Sequence, residues 1–401
     1  MKVLFLTMVK INSFNERGIY TDLLRKFSKE GHEVFVVCPI ERREKKHTHM
    51  IKGDLGTILN VKTFNLQKTN LVEKGIGILS IEFQYLSAIK NYYKNEKFDL
   101  ILYSTPPITF SKVINYIKNK DGAYAYLLLK DIFPQNAVDM KMMKFNGLLH
   151  KIFKSKEKKL YSLSDTIGCM SSANVDFILT HNPEIERSKV EVNPNSIEPI
   201  TFDYSEEQKT VIRHKYGVPT NKKVFVYGGN LGKPQGLDFL LKTIEKCTNP
   251  EAYFLVIGDG TEYIKIESWF SKYKPTNAKL LKRLPKEDYD TLLASCDIGL
   301  IYLHPDFSIP NFPSRLLSYL EMKMPVLVAT DPNTDIGDII ENANCGYKII
   351  SGNQDEMQFK LSQLLYKDNL EVLGKNAYEL LQQEFLVDRS YNLIVESCKN
   401  V

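Results

Sequence analysis

Short apolar runs alternate with amphipathic stretches along the whole chain, and this alternation leaves few folds open. In the first half, Val3–Val9, Glu33–Ile40, Thr57–Phe64, Asp99–Thr105, Tyr124–Ile132 and Thr166–Met170 read as strands. Helical spacing occupies Gly18–Glu30, Ile78–Asn95 and Phe110–Lys118. Strands apolar on both faces need cover on both faces, which a parallel sheet flanked by helices provides. The second half repeats the scheme. Strands are expected at Lys223–Tyr227, Ala252–Ile257, Lys279–Leu284, Ile298–Leu303 and Val326–Ala329. Helices are expected at Leu237–Glu245, Lys286–Ala294, Ser314–Met322 and Gln358–Gln383. Asn193–Glu206, rich in Asn, Pro, Ser and acid, separates the halves. The expected fold class is α/β, with two doubly wound Rossmann-like domains facing across a cleft. Their boundaries are 1–195, a linker at 196–206, and 207–380. A terminal helix within 381–401 is free to cross back to the first domain.

Composition narrows the function. With 401 residues, 43% of them hydrophobic and 25% charged, the chain is long enough for two cores and unlike fibrous or disordered sequences. The six cysteines are scattered without a C-x-x-C pair, which speaks against a disulfide scaffold or zinc site and for a reducing cytosol. No run approaches the 18 apolar residues of a membrane span, and the apolar start is short for a secretion signal. Residues 1–200 hold 30 Lys and Arg against 21 Asp and Glu, a balance of +9. The remainder carries 23 against 27, or −4. A basic first half suits phosphate, an anionic bilayer or nucleic acid. Its lysines lack the interleaved aromatic platform of nucleic-acid modules, so no nucleic-acid partner is expected.

Ligands of open α/β sheets bind beyond the carboxyl ends of the strands, so strand-end residues are the candidates. Val224–Tyr227 runs into Gly228-Gly229-Asn230-Leu231-Gly232-Lys233-Pro234-Gln235-Gly236 and then a helix. Glycines admit a ligand close to the backbone, and a helix start attracts anions. A plain strand-to-helix turn has the same spacing. Gly258-Asp259-Gly260 follows the next strand, and Arg283-Leu284 the one after. In Ser308–Thr330, prolines bound a helix beginning near Ser314, which is suited to be its N-cap. Arg315 then falls in the first turn, the unfavourable end for a cation unless an anion shares it.

These residues resemble a retaining glycosyltransferase of family 4, with the GT-B fold. The resemblance spans nearly the whole chain. It is carried mainly by Tyr227–Asp238, Val256–Gly260 and Phe312–Thr330, with Gly31-His32-Glu33-Val34 and Val192-Asn193-Pro194-Asn195-Ser196. Bacterial enzymes of capsule, O-antigen and exopolysaccharide assembly, such as N-acetyl-L-fucosamine transferases, are the most similar group. The resemblance implies a nucleoside diphosphate sugar donor, UDP-linked, and a lipid-linked saccharide acceptor. The nucleotide-sugar is a substrate rather than a cofactor, and no carboxylate cluster with metal spacing is evident in the sequence, so no cofactor and no essential metal are expected. Gly18, Gly229, Gly258, Gly260, Ser314 and Arg315 match donor-binding positions. Where the family usually has an Arg and a Lys in the glycine loop, Asn230 and Gln235 stand instead, with Lys233 nearby. Arg283 and Leu284 are donor candidates from their strand-end place, where a solvated surface Arg reads the same way. The family's two glutamates, eight positions apart, fall at Pro310 and Ser318 and are both absent. The resemblance leaves their ribose-holding role to Ser318 or, one turn on, Glu321. In the first domain, Lys130-Asp131-Ile132-Phe133-Pro134 matches an Asp-Leu-Trp-Pro-like segment, with Asp131 as the catalytic candidate. A strand-end carboxylate there can position a sugar or take a proton, although an Asp bonded within its own loop reads the same way.

Residues 141–160 hold seven lysines and one acid, interleaved with Met142, Met143, Phe145, Leu148, Leu149, Ile152 and Phe153. A basic amphipathic segment suits the interface of an anionic membrane. A core helix with a solvated basic face has the same pattern. The segment's share of the first half's excess charge, with the lipid-linked acceptors the resemblance implies, favours the membrane. The expectation is therefore a cytoplasmic enzyme, peripheral on the inner face of the membrane. Two other readings fit parts of the pattern. A nucleotide-sugar epimerase of the same fold would need no separate acceptor. A non-catalytic nucleotide- or sugar-binding protein would need no catalytic carboxylate.

Overall fold

A computed structural model of the chain describes residues 1–66, 71–365 and 367–399. They form two compact units, Met1–Glu198 with Val387–Val401, and Pro199–Leu386. The first unit runs β1 (Lys2–Leu6), α1 (Ile19–Lys29), β2 (Glu33–Glu41), β3 (His49–Gly53), β4 (Gly56–Thr63), α2 (Leu71–Tyr92), β5 (Leu100–Ser104), α3 (Ser111–Asp121), β6 (Tyr124–Leu129), α4 (Gln135–Asp139), α5 (Leu148–Leu163), β7 (Thr166–Cys169), α6 (Ser172–His181) and β8 (Val190–Val192). Its sheet is ordered β3-β4-β2-β1-β5-β6-β7-β8. Every pairing is parallel except β3 with β4. That antiparallel edge hairpin is absent from the sequence reading, because β3 is short, polar and largely exposed and offers no apolar run. The strand order reverses between β1 and β5, and such a switch point is where doubly wound sheets take ligands.

The second unit runs α7 (Glu206–Tyr216), β9 (Lys223–Asn230), α8 (Leu237–Lys246), β10 (Ala252–Asp259), α9 (Tyr263–Tyr273), β11 (Ala278–Lys282), α10 (Lys286–Leu293), β12 (Ile298–Tyr302), α11 (Arg315–Glu321), β13 (Val326–Thr330), α12 (Ile336–Asn342), β14 (Gly346–Ile350), α13 (Gln354–Gln363) and α14 (Lys367–Glu384). The sheet, β11-β10-β9-β12-β13-β14, is parallel throughout and switches between β9 and β12. In α8, Leu237, Leu240, Leu241 and Ile244 bury one face at i, i+3, i+4 and i+7 against Phe225, Phe254 and Tyr302. The single helix expected at Gln358–Gln383 is two, with α13 ending at Gln363 and α14 starting at Lys367. The break lets Met357, Leu361, Leu364, Leu370 and Leu373 all reach the same core.

The final helix, α15 (Val387–Lys399), belongs to the first unit. Ile394 and Val395 join the core of Leu24 and Phe27, Tyr391 meets Phe27 edge-on at 4.9 Å, and Ser390 donates to Asn193 Oδ1 at 2.7 Å. It begins at Val387 rather than 381, and residues 400 and 401 lie outside the described residues. The expected linker 196–206 is divided between the units rather than standing between them. Arg25 and Lys29 hold Glu198 in the first, and Glu321 Oε1 accepts the Ile200 N–H at 2.8 Å in the second.

Candidate functional site

In the second unit the site grows from the switch point. β9 leads into Gly229 at φ +115°, a left-handed backbone that a side chain rarely adopts. A Cβ on Gly229 would sit 3.9 Å from the Arg315 guanidinium, which places that cation beside the glycine loop. Arg315 opens α11, which follows β12 across the switch. Its guanidinium lies 4.2 Å over the Tyr227 ring, and Nη2 donates to Gln235 Oε1 at 2.7 Å. Nη1 is buried and makes no hydrogen bond. Among the described residues no carboxylate pairs with Arg315, so a half-buried cation stands uncompensated at the carboxyl end of the sheet.

What anchors α11, the helix that carries Arg315, is a residue the sequence reading missed. Tyr319, one turn later on α11, is fully buried, and its hydroxyl lies 3.2 Å from the Gly228 N–H and Val226 carbonyl and 3.1 Å from the Leu300 carbonyl. It ties the helix to β9 and β12 together. Gly299 makes room for it, since a Cβ there would lie 2.4 Å from the Tyr319 ring. No sequence spacing reveals this pairing, because it joins positions on separate elements.

Several expected donor residues have other structural roles. Ser314 takes the expected N-cap position before Arg315, but it is exposed, its backbone is helical (φ −62°, ψ −15°), and its hydroxyl makes no capping bond. Glu321 is at the far end of α11 from Arg315, buried and bonded to the Ile200 backbone, which leaves Ser318 nearer the loop. Ser318, one turn after Arg315, is partly exposed. Asn230 ends β9 opposite Asp259 and is exposed, while Lys233 and Gln235 lie in a short 3-10 turn. Arg283 and Leu284 follow β11, two strands from the switch, and no hydrogen bond joins Arg283 to the Arg315 loop among the described residues.

Gly258 and Gly260 are glycines for packing. A Cβ on Gly258 would fall 1.9 Å from the Gly229 carbonyl oxygen, and one on Gly260 2.5 Å from the Leu231 backbone. Neither neighbour is a flexible side chain that can swing away. Gly258→Ala is therefore expected to cost about 2–3 kcal/mol of stability through forced backbone movement. Urea denaturation checks this, and an unchanged midpoint would mean the loop has slack that these contacts do not show.

In the first unit, Lys130 and Asp131 directly follow β6. Asn136 Nδ2 donates to both carboxylate oxygens of Asp131, at 2.9 and 2.8 Å. Burial pushes this carboxyl up to about 6, against the opposing pull of Asn136 and the Ile132 N–H. Thr105, in the loop after β5 for which the sequence suggests no role, clamps this strand end. Its Oγ1 accepts from the Lys130 and Asp131 N–H groups at 3.1 and 3.2 Å and donates to the Asp131 carbonyl at 2.9 Å. Lys130 is a further residue the reading passed over. Its Nζ donates to the Asn193 carbonyl at 3.2 Å, and burial pushes its pKa down to about 7. Gly18 sits at the start of α1 near the switch of this sheet. Its N–H donates to Asp22 Oδ1 at 3.2 Å, so that amide is already committed. Its backbone is extended, and a Cβ would meet only Thr21 Oγ1, at 3.4 Å, so nothing within the protein demands glycine there.

Comparison with known proteins adds similarities to glycosyltransferases. Residues 208–380 match the family described as Glycosyl transferases group 1. The chain is 22% identical over 378 residues to "Probable glycosyltransferase WbjE" of Pseudomonas aeruginosa, covering 92% of this chain and 91% of that one. It is 23% identical over 201 residues to "Putative colanic acid biosynthesis glycosyl transferase WcaI" of Escherichia coli K12, covering 47% and 49%. Among solved structures, Anabaena HepE in complex with UDP-glucose superposes with a TM-score of 0.70 at 15% identity, covering all of both chains. Residues 208–380 thus form a glycosyl transferases group 1 domain, and the chain as a whole is built on the GT-B fold of glycosyltransferases.

Proposed function

We propose that this glycosyltransferase moves a sugar from a UDP-linked donor to a lipid-linked saccharide acceptor, with retention, in the synthesis of a bacterial surface polysaccharide. The observation that carries the reading is Arg315, a half-buried cation whose Nη1 is buried and unused and which has no carboxylate partner among the described residues, set beside the glycine loop at the switch point. A diphosphate supplies what that guanidinium lacks. As the bond from the sugar to the diphosphate breaks, negative charge grows on the leaving phosphate, and a preorganised cation stabilises it there. Gln235 and Tyr227 hold the guanidinium fork in its plane, and Ser318 is the candidate for the ribose hydroxyls. Asp131, whose carboxyl is pushed up to about 6 by burial, is assigned to the acceptor hydroxyl, which it positions and from which it takes a proton. The complex of HepE with UDP-glucose and the colanic acid description of WcaI support the donor and the pathway class.

Thermal-shift measurements with UDP, GDP, ADP, TDP and their sugars test the donor. A nucleotide that binds only the native state adds about 2.7 kcal/mol of stability at a concentration one hundred times its Kd. UDP and a UDP-sugar are expected to raise the melting temperature by several degrees, and the other nucleotides less. Gly18→Ala is expected to melt where the wild type does but to lose most of the UDP-sugar shift, since the space it fills is not needed by the fold. If UDP compounds give no shift while another nucleotide does, the donor assignment fails.

A further inference from the structure

The turn after α4 and the first turns of α5 form a surface that the reaction does not use. Met142, Phe145, Leu148, Leu149 and Ile152 are between 41% and 77% exposed, a concentration of large apolar side chains within eleven residues. Lone exposed apolar residues need no explanation, but a contiguous group marks an interaction surface. Lys141 and Asn146 hold left-handed backbone, at φ 58° and 57°, in the turn that carries Met142 and Phe145 outward. Two residues of the sequence pattern are not part of the patch. Phe153 packs against Phe133 with ring centroids 5.1 Å apart, and Met143 is half-buried.

The charges around this patch have one sign. Lys144, Lys151, Lys156 and Lys159 make no ion pair among the described residues. On α5, Lys156 and Lys159 lie on the face of Leu148 and Ile152, one and two turns further on. Lys154 and Lys158 face elsewhere and are neutralised by Glu157 and Glu184. Glu157, the segment's one acid, is buried. The surface is therefore apolar at its centre with unpaired cations beside it. A second copy of the chain is a poor occupant, because a two-fold contact on this face would bring the same lysines of both copies together.

We infer that this surface docks the first unit on an anionic lipid bilayer, with the apolar side chains in the interface and the four lysines against the headgroups. No described helix is long and apolar enough to cross a membrane, so this contact is peripheral. The inference is independent of the donor and the reaction, and its failure would leave the transferase reading intact.

The test is flotation of the purified chain with phosphatidylcholine vesicles and with vesicles in which about one lipid in three is phosphatidylglycerol. Binding to the anionic vesicles is expected to exceed binding to the neutral ones at least about 50-fold, as each lysine near the surface contributes roughly fivefold before screening. Raising salt from about 0.1 M to 1 M, which shortens the screening length to about 3 Å, should remove most of that preference. The combined change Lys144→Glu, Lys151→Glu, Lys156→Glu and Lys159→Glu should abolish it. Leu148→Ser with Leu149→Ser should weaken anionic binding at least about tenfold. Phe145→Trp provides a readout without charge change: its emission should shift blue on anionic vesicles and be quenched by brominated lipid. Equal binding to both vesicles, no binding, or an unaltered preference in the charge-reversed variant would overturn the inference. So would a concentration-dependent dimer abolished by Leu148→Ser in a chain that ignores vesicles.

Discussion

Arg315→Ala is expected to weaken UDP binding by about 2–4 kcal/mol, because the proposed donor diphosphate loses the counter-charge of a half-buried guanidinium. Calorimetry with UDP reads this directly. The same substitution is expected to leave the melting temperature of the ligand-free protein almost unchanged. In that state the guanidinium is a half-buried cation without a carboxylate, holding one hydrogen bond to Gln235 and the face of Tyr227. A purely structural arginine would behave in the opposite way, with stability lost and nucleotide affinity kept. Arg315→Lys should recover only part of the affinity, since an ammonium keeps the charge but not the planar fork that both Gln235 and a phosphate engage. Wild-type affinity in the alanine variant would remove Arg315 from the donor site.

Asp131→Asn is expected to lower turnover at least about 100-fold while UDP still binds normally. The pH dependence sharpens the assignment. With its carboxyl pushed up to about 6 by burial, Asp131 loses the form that accepts a proton as pH falls through that value. Wild-type turnover should therefore decline below about pH 6, and the residual activity of Asp131→Asn should show no such limb. Stability follows the sign of the shift. A carboxyl raised in the folded protein is better accommodated when protonated. Its stabilising contribution is present below its ordinary value near 3.8 and is lost as pH rises through about 6. The difference of about two units corresponds to roughly 3 kcal/mol. Asp131→Asn should thus be no less stable than the wild type at pH 7, and more stable if the Asn136 amide turns to pair with it. A variant that keeps near-normal turnover would make Asp131 a loop residue only. A variant that melts early would mean that its carboxylate, not the neutral form, suits the fold.

The strength of the sequence reading and its limits have the same origin. β1, β5, β6, β9, β10, β12 and β13 are buried parallel strands, and their apolar runs announce themselves without any knowledge of partners. β3 and β8 are short or polar, so their strand character comes from the neighbour they pair with. The same holds within the site. That Arg315 deserved to be a candidate was legible, because a cation in the first turn of a helix is out of place on local grounds. That Ser314 would not cap the helix was not, because capping depends on a backbone angle that the preceding prolines and loop settle.

The residues by themselves determined the α/β class, the two-part organisation and the strand-end loops, since periodicity and residue type act over a few neighbours. Only the tertiary structure decided which of the candidates share a place. It separated Glu321 from Arg315 by the length of a helix and bound it to the Ile200 backbone. It showed Gly258 and Gly260 to be required by adjacent backbone. It brought in Tyr319 and Thr105, which no motif marks, as the groups that anchor the helix carrying Arg315 and the backbone of Asp131. The physical reason is that a buried hydroxyl takes its value from the hydrogen bonds it completes between elements, and those partners are far apart in sequence and meet only once the sheets have formed.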